Sequence, residues 1–386
     1  MRRVCFVINS RANYARIKTT IRESIARQDL EVFLVVGASG LLERFGNVSA
    51  IIEKDGFHIS DRIYTVVEGD NPLSMVKTTG LSLISISDIF NRIKPDVVVT
   101  IADRYETIAT AIASSYMNIP LAHTQGGEVT GSIDDSVRHA ITKLAHLHFP
   151  STKKAAEILQ NIGEDPSTIH WVGCPSIDLV AEVPYESPEN VMKRYSGVGA
   201  NLDFSKPYIL VSQHSDTLEH NLSSVQITRT IEAVKELKMQ TVWLWPNVDS
   251  GSGAISKKLR MFRDVENPDL SRFYINFNPE DYVNIMRGSS CIVGNSSSGI
   301  REASFLGKPS VNIGDRQRGR EKLLNVIDVP YDASKILDAI RKQIAMKIYP
   351  SDLTYGSGNA GKQMAEILAK NELRLNKKPL NLHDNS

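Results

Sequence analysis

Short runs of apolar, β-branched residues alternate with amphipathic segments of helical length along the chain. This pattern is typical of a parallel α/β sheet, in which buried strands and helices follow one another. Strands are predicted in the first half at Val4–Ile8, Glu31–Val36, Arg62–Val67, Pro95–Ile101, Pro120–His123, His146–Phe149 and Ile169–Val172. Helices are predicted between them at Tyr14–Ala26, Leu73–Ile93, Asp103–Met117, Ile133–Leu144 and Thr152–Ile162. This series predicts a Rossmann-like domain over residues 1–180.

A stretch rich in proline and serine, Val183–Pro188, interrupts the alternation and indicates a linker. The pattern then resumes, with strands predicted at Tyr208–Ser212, Thr241–Trp245, Arg272–Phe277, Ser290–Val293 and Ser310–Ile313. Helices are predicted at Ser224–Leu237, Glu280–Met286 and Ala333–Ala345. We therefore expect a second Rossmann-like domain over residues 190–350, and an α/β fold of two such domains facing a cleft. A last helix within residues 355–373 is expected to pack back across the domains, and Asn376–Ser386 is expected to fray.

Composition excludes several classes of protein. With 41% hydrophobic and 23% charged residues, the chain resembles an ordinary globular protein. A formal net charge of +1 gives no electrostatic basis for binding nucleic acid or a membrane surface. The three cysteines, Cys5, Cys174 and Cys291, lie in or beside apolar runs without metal-ligand spacing, so we expect reduced core residues of a cytoplasmic protein and no metal site.

Polar residues are concentrated just after the predicted strands, where open α/β sheets bind their ligands. In the first half these residues are Arg11, Asn13, Asp103, Arg104, His123, Gln125, Glu128, Asp134 and Arg138. In the second half they are His214, Asn247, the loop Gly294–Glu302 and Arg316. Taken singly, each fits a helix cap, a surface ion pair or a loop histidine. Their occurrence at successive strand ends favours a site.

The loop Gly294–Glu302 follows an apolar strand and precedes a helix. Small hydroxyl residues there present backbone N–H groups and serine hydroxyls at the positive end of a helix dipole, which suits a phosphate or diphosphate. Glu302, one turn further on, could hold a sugar hydroxyl. The alternative is that Asn295 or a serine only caps the helix.

The motifs resemble those of one enzyme family, the hydrolysing UDP-N-acetylglucosamine 2-epimerases of the sialic acid pathway. The similarity runs from Arg2 to about Leu373. It rests on Asp103-Arg104, on the long motif from His123 through Gly126-Gly127-Glu128 and Ile133-Asp134-Asp135 to Arg138-His139 and His146, on Pro246-Asn247-x-Asp249, and on Gly294-Asn295-Ser296-Ser297-x-Gly299-x-Arg301-Glu302. The resemblance implies a fold like that of the GT-B glycosyltransferases.

It also implies a reaction, in which UDP is eliminated across C1–C2 of UDP-N-acetylglucosamine and water adds to the resulting glycal to give N-acetylmannosamine. By position, Asp103 and Asp134 match the catalytic carboxylates of the family, Arg138 orients the site and His123 lies close by. Ser296, Ser297 and His214 match diphosphate contacts, and Glu302 matches a ribose contact. The resemblance also implies that Arg11, Arg104 and Arg316 line the UDP region and that Asn247 lies near the nucleotide.

Two departures from the family pattern concern proton transfer. Gln125 stands where the family has a catalytic Glu, and Asn13 stands where it has Asp. An amide neither accepts nor delivers a proton at neutral pH. Either the proton passes through Asp103, Asp134 or Glu128, or the substrate is a UDP-diacetamido-trideoxyhexose of the legionaminic acid route, or the chain binds UDP-sugars with little turnover. The segment Ser215-Asp216-Thr217 also differs from the family's usual Pro-Val-Thr.

The resemblance further implies a homodimer or homotetramer with no cofactor. Feedback control by CMP-sialic acid stays open, because Lys257 and Arg260 in the aligned region also suit an exposed helix face. A glycosyltransferase of the same architecture is the alternative from another class, since fold alone does not set function.

Overall fold

The computed structural model describes residues 1–43, 46–69, 71–131, 133–247 and 249–377. The chain divides into two compact units. Unit 1 comprises Met1–Val129, Asp134–Asp178 and Thr354–Ser386, and unit 2 comprises Thr130–Ile133 and Leu179–Leu353. The predicted domains were 1–180 and 190–350, whereas the chain passes from unit 1 to unit 2 after Asp178 and back to unit 1 at Thr354. From residue 378 on, the tail expected to fray lies outside the described residues.

Unit 1 is built on a parallel sheet of six strands in the order β3-β2-β1-β4-β5-β6. The strands are β1 (Arg2–Ile8), β2 (Leu30–Gly37), β3 (Asp61–Ile63), β4 (Val97–Ile101), β5 (Leu121–Thr124) and β6 (Leu147–Phe149). The order reverses between β1 and β4, and such a switch point is where open α/β sheets bind ligands at the carboxyl ends of their strands.

The helices of unit 1 cover both faces of this sheet, and each face has its own apolar core. They are α1 (Arg11–Ala15), α2 (Lys18–Ile25), α3 (Val48–Lys54), α4 (Pro72–Ile93), α5 (Thr107–Tyr116), α6 (Asp134–Leu144) and α7 (Lys153–Asn161). Helix α8 (Pro175–Glu182) crosses the unit boundary, and α15 (Ala360–Lys370) returns to unit 1. The Asp178 carboxylate accepts the N–H groups of Ala360 and Gly361 and thereby holds the start of α15.

Unit 2 has a seven-stranded sheet in the order β13-β12-β11-β8-β9-β10-β7, in which only β7 is antiparallel to its neighbour. Its strands are β7 (Val198–Gly199), β8 (Tyr208–Ser212), β9 (Gln240–Leu244), β10 (Ser271–Tyr274), β11 (Cys291–Gly294), β12 (Ser310–Ile313) and β13 (Val326–Val329). Its helices are α9 (Pro188–Met192), α10 (Ser223–Leu237), α11 (Ser252–Met261), α12 (Pro279–Gly288), α13 (Arg301–Phe305) and α14 (Ala333–Met346). The switch point here lies between β8 and β11.

Several predicted elements differ from the structure, among them the strand predicted at Arg62–Val67, which is Asp61–Ile63. Ile169–Val172 is not a strand, since Ile169 alone forms a bridge, to His148. The helix predicted at Tyr14–Ala26 is two helices, because Ile17 between them has φ −136° and ψ −9°, outside the α-helical range. The linker predicted around Val183–Pro188 lies between α8 and α9, and Pro188 opens α9 at the position where proline fits a helix best.

In the described part of the chain, every helix is too short or too polar to cross a membrane. The cysteines Cys5, Cys174 and Cys291 are buried thiols.

Candidate active site

In unit 1, the candidate residues follow three neighbouring parallel strands. Arg11 comes after β1, Asp103 after β4, and Gln125 after β5. The register pairs Ile101 of β4 with Thr124 of β5, so Asp103 and Gln125 leave the same edge of the sheet. The structure therefore brings these positions to one edge, as the strand-end argument predicted.

The backbone bends sharply where these strands end. Ala102 and Gln125 have φ values of 61° and 63°, in the left-handed region that residues other than glycine seldom adopt. Ladder hydrogen bonds hold both, from the Ala102 N–H to the Thr124 carbonyl at 3.2 Å and from the Gln125 N–H to the Phe149 carbonyl at 2.9 Å. Because of the bend at Ala102, helix α5 begins at Thr107 and not at Asp103 as predicted.

Arg138 is the centre of the charged cluster in unit 1. Its side chain is 1% exposed, although it lies on helix α6, which the sequence allowed to be a surface element. The guanidinium forms ion pairs with Asp103 and with Asp135, and it donates to the Glu128 carbonyl. The interpretation of Arg138 as half of a weak surface pair is wrong, because a buried guanidinium requires such partners.

Asp134 opens helix α6 and is partly exposed. Asp135, which was not among the predicted site residues, is the neighbour that forms the ion pair with Arg138 one turn later. In the sequence, the i, i+3 spacing of Asp135 and Arg138 was the signal that could have predicted this ion pair. Glu128 is 6% exposed, and its backbone carbonyl is the group that contacts Arg138.

His123 is fully buried, and both ring nitrogens are bonded. Its Nε2 lies 2.9 Å from the Ala102 carbonyl, and its Nδ1 lies 3.2 Å from the Thr142 hydroxyl. Since a carbonyl only accepts, Nε2 carries the proton and Nδ1 accepts from Thr142. Burial lowers the pKa of His123 to about 3. The ring is therefore neutral and supports the Ala102 bend, a geometry that favours a positioning role over proton transfer.

The two amides that depart from the family pattern are held inside unit 1. Gln125 accepts from Arg16 Nη1 at 3.2 Å and donates to Cys174 Sγ at 3.3 Å. Asn13 accepts the Asn9 N–H at 3.1 Å and donates to the Ile101 carbonyl at 3.1 Å. A carboxylate could make the accepting bond in each pair but not the donating one. Each amide thus holds two segments of unit 1 together through one accepted and one donated hydrogen bond, and a carboxylate would lose the donated one.

Two predicted arginines of unit 1 are positioned locally. Arg104 Nε donates to the buried Glu106 carboxylate at 2.8 Å, and its side chain is 13% exposed. Arg11 is the first residue of α1, a helix capped by the Ser10 hydroxyl, and it is half-buried.

In unit 2, the serine loop follows β11 as predicted. Gly294 has a φ of 131°, and a Cβ there would lie 2.1 Å from the Ser212 carbonyl oxygen, so only glycine fits between the two strand ends. A 3-10 turn at Ser297–Gly299 follows, and α13 is only 5 residues long. The helix dipole at this loop is therefore small. The serine hydroxyls and the N–H groups of the turn are the main hydrogen-bond donors that the loop offers to a phosphate.

Asn295 organises this loop, a role that the sequence did not reveal. Its side chain accepts the His214 N–H at 2.7 Å and donates to the His214 carbonyl at 2.9 Å. It does not cap the turn, because the Ser296 hydroxyl accepts the Ser298 N–H. An asparagine directly after the strand-ending glycine was the only signal. The two hydrogen bonds between Asn295 and His214 fix His214 beside the serines.

The His214 ring has a defined tautomer. The Asn247 N–H donates to His214 Nδ1 at 3.1 Å. Because Nδ1 accepts, a neutral ring carries its proton on Nε2. Nε2 lies 3.4 Å from the Ser212 hydroxyl, and an N–H of this kind also binds phosphate oxygens.

Arg316 and Glu302 complete the predicted set in unit 2. Arg316 donates to the Asn295 carbonyl at 3.2 Å and lies 3.7 Å from the Asp249 carboxylate. Glu302 Oε2 is buried and accepts no hydrogen bond from the described residues. A buried carboxylate oxygen of this kind suits a donor from a ligand.

A protein-family model described as UDP-N-acetylglucosamine 2-epimerase matches residues 22–369. The chain belongs to this family. It is 30% identical over 368 residues to the UDP-N,N'-diacetylbacillosamine 2-epimerase (hydrolyzing) of Legionella pneumophila, covering 95% of this chain and 96% of that protein. It is also 30% identical over 346 residues to the polysialic acid biosynthesis protein P7 of Escherichia coli, covering 88% of this chain and 85% of that protein.

Solved structures of this family share the fold. The UDP-GlcNAc 2-epimerase of Neisseria meningitidis bound to UDP-GlcNAc has a TM-score of 0.77 at 18% identity, over 96% of this chain and 100% of that one. The Methanocaldococcus jannaschii enzyme in complex with UDP-GlcNAc and UDP has a TM-score of 0.78 at 15% identity, over 95% and 99%. The prediction of two Rossmann-like domains with a GT-B-like fold is confirmed. The chain is an enzyme of the hydrolysing UDP-sugar 2-epimerase type, not a glycosyltransferase.

Proposed function

We propose that this enzyme converts UDP-N-acetylglucosamine and water into N-acetylmannosamine and UDP, for the biosynthesis of a sialic or related nonulosonic acid. The observation that carries the proposal is the Arg138 cluster of unit 1. It holds the carboxylates of Asp103 and Asp135 at the carboxyl edge of the sheet, with Glu128 and Asp134 in the same segments. Inversion at a carbon beside the anomeric centre requires carboxylates of this kind for proton transfer.

The proposed reaction has two steps. In the first, a carboxylate takes the proton from C2, a C1=C2 double bond forms, and the C1–O bond breaks so that UDP leaves with the bonding electrons. In the second, the oxygen of water bonds to C1 and keeps one proton as the C1 hydroxyl, while the other proton of water passes to the base carboxylate, which has first lost the C2 proton to solvent. A protonated carboxyl group on the opposite face delivers a proton to C2 and becomes a carboxylate. The sum is UDP-N-acetylglucosamine plus water giving N-acetylmannosamine plus UDP. No net oxidation occurs, so the reaction requires no redox cofactor.

Within unit 1 we assign the proton transfers to Asp103 and Asp134, with Glu128 as the further carboxylate. Arg138 orients Asp103 and favours its charged, basic form, because an opposite charge nearby stabilises a carboxylate. Gln125 takes no proton, and we assign it to positioning through Arg16 and Cys174. His123 supports the bend that precedes Asp103.

We assign the binding of UDP to the arginines and to the strand ends of unit 2. Ser296, Ser297 and His214 donate hydrogen bonds to the diphosphate, and Arg316 supplies positive charge. Glu302 accepts from the ribose through its buried oxygen. Arg11, Arg104 and Asn247 stay predictions as contacts of the UDP part of the substrate.

A second candidate substrate is a UDP-2,4-diacetamido-2,4,6-trideoxyhexose. Two relatives at 30% identity carry names of this type, from Legionella pneumophila and from Campylobacter jejuni. Such a substrate carries at C4 an acetamido group, with a carbonyl and an N–H, where glucosamine has a hydroxyl. This candidate shares every chemical step with the first.

Both candidates are tested by one experiment. The enzyme is incubated with each UDP-sugar separately and with both in competition, UDP release is followed, and the released sugar is identified by NMR. We expect N-acetylmannosamine, with the higher kcat/KM for UDP-N-acetylglucosamine. Preference for the diacetamido sugar would support the second candidate, and UDP release from neither would refute the proposal.

A Gln125→Glu variant and a control variant accompany this experiment. The exposed Gln28→Glu change adds the same charge at a position that is not among the predicted site residues. If Gln125 only positions, Gln125→Glu does not raise kcat, and Gln28→Glu leaves it unchanged. A rise of tenfold or more in Gln125→Glu alone would show that the natural amide limits proton transfer. We further propose that the enzyme acts in the cytoplasm as a homo-oligomer.

A further inference from the structure

The chain leaves helix α15 at Asn371 and runs along unit 1 to helix α6. We call these residues, 371–377, the strap. Arg2 Nη1 donates to the Asn371 carbonyl at 2.9 Å, and the Leu375 carbonyl lies 3.1 Å from His146 Nε2. The strap is therefore fastened to unit 1 at two points before it reaches α6.

Lys377, at the end of the strap, binds the last turn of α6. Its Nζ donates to the backbone carbonyls of Thr142 and Lys143, at 3.1 and 3.0 Å. The last carbonyls of a helix lack partners within the helix itself, and a lysine there also interacts favourably with the helix dipole. Lys377 thus caps α6 from a distant part of the chain.

A buried carboxylate holds Lys377 in this place. The Glu164 side chain is 1% exposed, and its Oε2 lies 2.5 Å from Lys377 Nζ. Glu164 also pairs with Lys143 at 2.9 Å and with His148 at 3.1 Å. Burial alone would raise the pKa of Glu164, but the pairs with His148, Lys377 and Lys143 hold that pKa at about 2. The carboxylate is therefore charged near neutral pH, and a buried charge requires cations beside it.

A series of hydrogen bonds leads from Lys377 to the candidate site. Thr142, whose carbonyl accepts from Lys377, donates through its buried hydroxyl to His123 Nδ1 at 3.2 Å. His123 Nε2 donates in turn to the Ala102 carbonyl at 2.9 Å. Ala102 is the residue of left-handed conformation that directly precedes Asp103. All of these groups belong to unit 1.

Helix α6 itself also belongs to the site. Asp134, Arg138 and Thr142 follow one another at intervals of four residues, so they lie along one face of the helix. A change at the end of α6 that Lys377 binds therefore reaches the face that carries the ion pairs of Arg138.

We propose that Lys377 is a positioning residue for the reaction. It fixes the last turn of α6, and with it the Thr142 hydroxyl that holds His123. His123 then keeps the bend that sets the direction of Asp103. This inference rests on the assignment of Asp103 to proton transfer under the proposed function. Because none of the contacts of Lys377 is with a residue assigned to UDP, its loss should change the chemical step and not the binding of UDP.

The test compares two replacements of Lys377 in the full chain. Lys377→Met keeps most of the side chain but loses the charge and the three donors, whereas Lys377→Arg keeps charge and donors. For Lys377→Met, kcat should fall about tenfold, since a small misplacement of a reacting group can cost up to about 100-fold. KM and the dissociation constant of UDP should stay within about twofold, because the UDP contacts are unchanged. Lys377→Arg should recover most of kcat.

A matched control separates this effect from the loss of any lysine nearby. Lys370→Met removes an exposed lysine that pairs with Glu366 on α15. It should leave kcat and KM unchanged. Melting temperatures of all variants, measured above the assay temperature, show that the enzyme is folded in each comparison.

NMR of the protein with ¹⁵N-labelled histidine rings gives a readout that does not depend on the substrate. The His123 signals, assigned with His123→Gln, should shift in Lys377→Met and stay in place in Lys370→Met. If neither UDP-sugar releases UDP, the proposed function fails, and the His123 signals still decide whether Lys377 acts on the site. Unchanged His123 signals in Lys377→Met would overturn the proposal.

A double-mutant cycle tests the route through α6. Thr142→Val removes the hydroxyl that holds His123 but keeps the carbonyl that Lys377 binds. If Lys377 acts through Thr142, Lys377→Met should lower kcat much less in the Thr142→Val background than in the wild type. Fully additive effects on kcat, or wild-type kcat in Lys377→Met, would overturn the proposal.

Discussion

Replacing Arg138 tests whether the charged cluster of unit 1 serves the reaction or only the fold. Arg138→Met removes the cation from two carboxylates, Asp103 and Asp135, whose side chains are only 14% and 17% exposed. Breaking a buried ion pair by removing one partner costs about 3–5 kcal/mol of folding stability. Arg138→Lys keeps the charge but loses the fork that reaches several acceptors at once, so we expect a loss of about 1–3 kcal/mol.

The Lys variant is therefore the informative one, because it should fold. If Arg138 orients Asp103 for proton transfer, kcat should fall about 100-fold, within the usual range for a general base. UDP release under saturating substrate gives kcat, and urea unfolding gives the stability. The inhibition constant of UDP should change little, since the diphosphate contacts are assigned to other residues.

Arg287→Lys is the matched control. The Arg287 guanidinium donates to the carbonyls of Val180 and Val183, so its replacement should lower stability without lowering kcat. A double-mutant cycle of Arg138→Lys with Asp103→Asn should show strong coupling in kcat. Wild-type kcat in Arg138→Lys, or additive effects with Asp103→Asn, would refute the assignment of Arg138 to the reaction.

Three other predictions concern single residues. Asn295→Ala leaves the buried N–H and carbonyl of His214 without their partner, so unfolding experiments should show a loss of about 2–4 kcal/mol of folding stability. Calorimetry should show weaker UDP binding. Unchanged UDP affinity would contradict the role of Asn295. Glu302→Gln should weaken UDP about tenfold and should remove the preference for UDP over 2′-deoxy-UDP, whereas an equal loss for both nucleotides would contradict a ribose contact. Burial lowers the pKa of His123 to about 3 from 6.5, so the unfolded chain binds a proton that the folded chain refuses, and stability should fall as the pH drops from 6.5 towards 3. The contribution is roughly 1.4 kcal/mol per pH unit. His123→Gln should therefore reduce the slope of the unfolding free energy against pH by the amount that corresponds to one proton. An unchanged slope would contradict the lowered pKa of His123.

The main elements of the fold were predictable from the sequence because burial on both faces makes the central strands continuous apolar runs. The strands at Val4–Ile8 and Tyr208–Ser212 are of this kind. Elements with weaker patterns were missed. Strand β13, Val326–Val329, lies at a sheet edge and is only half-buried, so its sequence shows no such run. Helix α8 was not predicted, and it begins at Pro175, since proline fits the first position of a helix.

The site was predictable as a set of strand ends but not as a set of contacts. Parallel strands bring their carboxyl ends to one edge, which is why Asp103 and Gln125 emerge together. The pairing of Arg138 with Asp103 joins residues 35 positions apart, and that of Asn295 with His214 joins residues 81 apart. Local patterns do not specify such pairs. Nor do they specify the left-handed bend at Ala102, which tertiary hydrogen bonds impose on a residue that avoids it.

The central claim is that the sugar passes through a glycal and receives its C2 proton from solvent. The most direct measurement is the reaction of UDP-N-acetylglucosamine in D₂O, with the released sugar analysed by NMR and mass spectrometry. The account predicts N-acetylmannosamine carrying one deuterium at C2, in an amount equal to the UDP released. Release of N-acetylglucosamine with hydrogen at C2 would show simple hydrolysis of the sugar nucleotide and would contradict the account.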